Sequence, residues 1–180
     1  MLPKSIEDIE SIRVSCKTMV KKRALASSGA VLVPVPGVDI AADVAMLLEL
    51  LPSINRKFGL TPDQIDELDP QLKSLLYGII KTTGTNLVGQ LITKQLILTV
   101  LRKVGVRMAA KQVLKYIPFA GQAAAAALSG SAMLYVGNAH VNECYEVEKK
   151  ALDHTLQKAE LAQSCLTLRS SGTAQKRAAP

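Results

Sequence analysis

A turn motif that occurs twice constrains this chain more than any other feature. Val33-Pro34-Val35-Pro36-Gly37 precedes one apolar, helix-like run, and Ile117-Pro118-Phe119-Ala120-Gly121 precedes a longer one. Both read apolar-Pro-x-x-Gly followed by small apolar residues. Proline lacks the amide donor and clashes with the preceding turn, so neither motif belongs inside a helix. Glycine admits the backbone angles that a tight turn needs. The chain therefore predicts two buried helices, each begun by a rigid turn. Pro34, Pro36, Gly37 and Asp39 shape the first turn, and Pro118 and Gly121 the second.

A length of 180 residues fits one domain with room for a real core. Apolar residues make up 48 % but aromatics only 3 %, with no Trp, so the apolar weight lies in Ala, Val, Leu and Ile. Closely packed helices and membrane-embedded helices both use such a mixture. The net charge of +7 suits an anionic lipid or an acidic protein surface. It points away from nucleic acid, because stacking aromatics are scarce and no nucleic-acid motif occurs. Cys16, Cys144 and Cys165 are odd in number and widely spaced, which predicts free thiols in a reducing compartment. The acids in residues 5–10 argue against a secretory leader, and Leu2 excludes N-myristoylation.

Helix signals run the length of the chain. Ser5-Ile6-Glu7-Asp8 has a capping hydroxyl and early acids, followed by Ile6, Ile9, Ile12, Cys16, Met19 and Val20 at helical spacing. Asp39 opens a helix to about Phe58, kinked at Pro52 and ended by Gly59. Thr61-Pro62-Asp63-Gln64 is a capping box with proline at the first position, and Asp69-Pro70 repeats the signal for a helix to Lys81. A turn around Gly84 leads to a helix expected over residues 87–104, which Gly105 breaks or caps. From Gly121 no proline intervenes until Pro180, so one long helix, or two joined near Gly137-Asn138, reaches Leu168. No alternating run is long enough for a strand. The expectation is an all-α bundle of six to eight helices with a central small-residue-rich helical hairpin. The helical domain covers residues 1–168, and residues 169–180, rich in Ser, Gly, Ala and basic residues, form a disordered tail.

Candidate chemistry is sparse. His140 and Cys144 lie four apart, close enough on a helix to share a metal ion, but a tetrahedral site lacks its second pair. The plainer reading is the polar edge of a packed helix. Ser129-Gly130-Ser131 has no GxSxG context and reads as small residues where another helix crosses closely, with Gly121 and Gly137 in the same role. Asp39 and Asp43 share a helix face, but Asp39 reads as a cap. No catalytic, cofactor-binding or metal-binding residue is assigned. Lys103, Arg107, Lys111 and Lys115 recur every four residues and form one basic face. The plainer reading is a solvated helix face; the functional one is contact with anionic headgroups, worth on the order of 1 kcal/mol per basic residue. Residues 116–142 carry no acid, Lys or Arg. Their length suits a membrane span, while Gln122, Asn138, His140 and Asn142 suit a protein core.

Val33-Pro34-Val35-Pro36-Gly37-Val38-Asp39-Ile40-Ala41 resembles the signature of a bacterial helical domain of unknown function that accompanies dynamin-like or Era-like GTPase domains. Ile117 to Gly121 matches that family's second turn, and a similar turn occurs in the helical region of immunity-related GTPases. The resemblance covers roughly residues 15–150. It implies a membrane-associated, all-helical module that binds or regulates a GTPase, in the cytoplasm at the inner face of the membrane. The chain departs from such proteins in having no GxxxxGK[ST] phosphate loop, so the GTPase would be a separate chain. The alternative is a helical interaction or immunity-type protein with no membrane role. Neither reading fixes the oligomeric state.

Overall fold

The computed structural model describes residues 2–3, 5–30, 38–83, 87–111 and 121–177. Every regular element among them is helical: α1 (Ile6–Ala30), α2 (Val38–Phe58), α3 (Pro62–Asp66), α4 (Pro70–Thr83), α5 (Lys94–Lys111) and α6 (Gly121–Arg177). The all-α expectation holds. Pro34, Pro36, Gly37, Lys115 and Pro118 lie outside the described residues.

Short polar side chains begin most helices where the sequence signals it. Ser5 Oγ accepts from the Asp8 amide at 3.1 Å. Thr61 Oγ1 accepts from the Gln64 amide, and the Gln64 side chain returns to the Thr61 amide, both at 3.3 Å. Asp69 Oδ1 accepts from the amides of Gln71 and Leu72 at 3.1 Å each. Each cap satisfies donors that the first helical turn leaves orphaned. Gly59 ends α2 with φ 77°, the left-handed conformation that spares glycine a Cβ clash.

α2 reaches Phe58 as expected, with Pro52 inside it. Two boundaries differ from expectation. The fifth helix starts at Lys94, not Leu87, and passes through Gly105 to Lys111. Glycine inside a helix costs only about 1 kcal/mol, too little to break one that packing supports. Residues 87–93 instead form a turn in which Gly89 has φ 69° and Leu87 and Val88 are buried. Thr93 caps α5 through the Leu96 amide at 3.3 Å.

The core is aliphatic. Ile9, Cys16 and Val20 of α1, Leu47, Leu50, Leu51, Ile54 and Phe58 of α2, Leu76 of α4, Ile97 of α5 and Met133, Val141, Cys144 and Val147 of α6 are all buried. Each fully buried Leu, Ile or Phe contributes about 1.5–3 kcal/mol. α1 and α6 form the principal pair and run antiparallel. Arg13 reaches Asn142 and Tyr145, whereas Val20 meets Gly137. α2 also runs opposite to α1, since Lys57 meets Ser15 and Arg23 meets Glu49. α2 and α6 therefore lie parallel and form no hairpin; the close small-residue contact is between α1 and α6.

The stretch 121–142 belongs to α6, and from residue 130 on one face packs into the core through Gly130, Met133, Val136, Gly137, His140 and Val141 while Tyr135 stays exposed. No helix among the described residues is long and apolar enough to cross a membrane. α6 is described through Arg177, past the Leu168 boundary expected for the helical domain. Its 57 residues span about 85 Å at 1.5 Å per residue, and residues 153–164 are exposed on every side.

Gly137 generates a prediction. A Cβ there would lie 2.6 Å from Val20 Cγ1 and 2.9 Å from Cγ2, and a β-branched valine has little freedom to yield. Gly137→Ala should lose about 1–3 kcal/mol to overpacking, more than the gain of under about 1 kcal/mol from helix propensity. The double variant Gly137→Ala/Val20→Ala should recover part of that helix gain. Urea melts of the three proteins measure both effects. Equal stability of wild type and Gly137→Ala would mean the helices do not meet there.

Candidate functional site

The basic stripe is placed in part. Lys103, Arg107 and Lys111 share α5, which continues through Gly105. The Lys103 side chain is exposed, and Arg102 beside it is exposed too. Asp39 is the second residue of α2, and Gly121 the first of α6.

His140 and Cys144 do meet, with Nε2 and Sγ 3.8 Å apart. Both are fully buried. The Cys144 thiol donates to Asn55 Oδ1 at 3.4 Å, and Asn55 Nδ2 donates to the Leu87 carbonyl at 3.2 Å. This chain ties α6 to α2 and to the 87–93 turn. Among the described residues no group of three or more His, Cys, Asp or Glu side chains could hold a metal ion. Burial pushes the Cys144 thiol well above its usual range, and the charge of Glu143 pushes the same way. Burial likewise raises Cys16 to about 11. A nucleophilic cysteine needs the opposite, a stabilised thiolate, so the His-Cys-Asn group works here as a polar tie. His140 Nδ1 and Glu143 Oε2 are 3.8 Å apart, too far for a hydrogen bond.

One turn further along α6, Glu148 lines a groove of about 470 Å³. Leu2 and Pro3 of the N-terminal segment, Leu68 and Leu72, and Ala151, Leu152, Thr155 and Leu156 of α6 complete its lining. Glu148 is only 2 % exposed, and its Oε1 has no hydrogen-bond partner. Burial lifts its carboxyl to about 8, a rise that the amino terminus opposes without cancelling. Concave apolar sites of a few hundred Å³ with one placed polar group are the usual form of a ligand pocket.

A comparison with family models, curated proteins and solved structures returns no match.

Glu148 is the residue that the sequence reading passed over. The signal was present: His140, Cys144 and Glu148 repeat every four residues on the stripe that Met133, Val136, Val147 and Ala151 bury. Acids are common on helix surfaces, and Glu146, two residues away, is exposed, so the pair reads as ordinary surface until the register of α6 is known.

The raised carboxyl has a thermodynamic consequence. Glu148 holds its proton to about pH 8 when folded but releases it near its ordinary 4.5 when unfolded. Between those values the folded state binds more protons, so stability falls as pH rises through that window, by about 1.4 kcal/mol per unit of pKa difference. Glu148→Gln, which mimics the protonated acid, should flatten this dependence. Urea melts at about pH 5 and pH 8.5 should show wild type losing a few kcal/mol more than the variant. Equal losses would place Glu148 in water.

Proposed function

We propose that this chain is a non-enzymatic helical module that holds a separate protein beside an anionic membrane surface in the cytoplasm. The partner class implied by the resemblance of residues 33–41 and 117–121 is a GTPase. The observation that carries the reading is the far end of α6. Residues 153–164 are exposed all round, including Leu156 at 52 % and Leu161 at 62 %. A helix of that length gains little stability by itself in water, so the apolar side chains it exposes suit contact with a protein partner. The net charge of +7 and the α5 stripe support a membrane contact made through charge.

A second reading keeps the partner and drops the lipid. It is favoured by residues 130–142, whose apolar face packs into the core.

Sedimentation with phosphatidylserine vesicles separates the two. Reversing Lys103, Arg107, Lys111 and Lys115 to Glu should abolish vesicle binding and leave the helical circular dichroism unchanged. Salt should weaken binding by the wild type, because exposed charges are screened within about 10 Å at 0.1 M. Vesicle binding that survives charge reversal would remove the stripe's lipid role. A photo-crosslinker at Leu161, used in the native host, tests the partner. Adducts containing a GTPase domain support the first reading, and adducts consistently without one overturn that choice of partner.

A further inference from the structure

We infer that the groove between the N-terminal segment, α4 and α6 is a binding site for a single-chain aliphatic amine, with Glu148 as the counter-ion of its ammonium head. The groove shares Leu156 with the partner surface proposed above, but its head-group chemistry does not rest on that reading.

The groove supplies two different surfaces. Leu68, Leu72, Leu152 and Leu156 offer an apolar trough, which favours an alkyl chain by removing it from water. Among its lining residues stands one carboxyl, almost wholly buried, with Oε1 left without a partner. None of the ion pairs among the described residues includes Glu148. A buried acceptor of this kind costs stability unless something donates to it. Residues that merely filled the core would be apolar, as Ala151 and Leu152 next to it are.

The chemistry of the head group follows from what each candidate presents to Oε1. A carboxylate ligand would set two acids face to face, which disfavours ionisation of both. An alcohol donates one neutral hydrogen bond. An ammonium carries three donors and no acceptor, and bonds to a charged partner are roughly twice as strong as neutral ones. The proton leaves Glu148 for solvent as the ammonium seats, so the groove gains an ion pair and no net charge. Thr155 Oγ1 also lies along the groove wall, but it donates to the Leu152 carbonyl at 2.8 Å and is committed to the helix.

Isothermal titration of the full chain with dodecylamine, dodecanol and dodecanoate at about pH 9, where the Glu148 carboxyl is ionised and an alkylamine is still charged, tests this. The expected result is saturable one-to-one binding of dodecylamine, about tenfold or more tighter than of the other two, the ratio that one charge-assisted hydrogen bond supplies. Glu148→Gln should erase the preference for the amine and keep weak dodecanol binding, which shows that the groove is still formed. Leu72→Trp should block all three ligands. Equal affinity for the three, a preference for dodecanoate, or an amine preference that survives Glu148→Gln would each overturn the proposal. So would tight binding of a lysine-bearing amphipathic peptide without binding of dodecylamine, which would make the groove a protein-docking surface.

Discussion

The contact on which the rest of this fold depends is the approach of α1 to α6 at Gly137. Val20 occupies the space a side chain would need there, so the two backbones come closer than any larger residue allows. That approach fixes the register of the antiparallel pair. Seven residues earlier on α1, Arg13 then lands over the Tyr145 ring at 4.4 Å and donates to Asn142 at 3.3 Å. Cys16 falls between these points and is fully buried. With α1 and α6 seated, α2 covers both, and Asn55 reaches Cys144 and the Leu87 carbonyl. A small-residue contact is non-directional by itself; the polar groups around it specify a single register. Asn55 makes that specification costly to violate, because a slipped register would bury its amide unpaired.

Much of the local structure was legible in the chain. The caps at Ser5, Thr61 and Asp69 and the stop at Gly59 are short-range chemistry, decided within four residues, and they stand where the sequence put them. The errors lie where tertiary packing overrode local preference. Gly105 looked like a break but is carried inside α5, and the apolar Leu87-Val88 pair looked like the start of that helix but serves as a buried plug in a turn. The small residues of α6 were recognised as a site of close approach, yet which of them met a neighbour, and which neighbour, needed three dimensions. The partner is β-branched Val20 of α1, which carries no distinguishing signal in sequence.

The candidate groove was illegible for a related reason. A glutamate is read as surface by default, and only the register set at Gly137 turns Glu148 inward. The same rotation turns His140 and Cys144 inward, where the two meet and Cys144 donates to Asn55, while His140 Nδ1 and Glu148 Oε1 have no partner. One buried stripe thus carries three polar residues with different physical outcomes. Two are absorbed into a tie between helices, and the third is left holding a proton beside an apolar trough. The chemistry that distinguishes them is the neighbour each meets and not its own type.

α6 is accordingly two structures in one helix: residues 130–151 built into the bundle, and a continuation whose residues 153–164 are exposed, although Lys158 still donates to Gln71 at 2.8 Å. Amide hydrogen exchange of the isolated protein tests that division most directly. The account predicts that amides of residues 130–151 exchange only through global unfolding, whereas those of residues 159–164 exchange through local fraying and orders of magnitude faster. Uniform, global-level protection along the whole of α6 in the protein alone would contradict it, because the continuation would then need no companion to be stable.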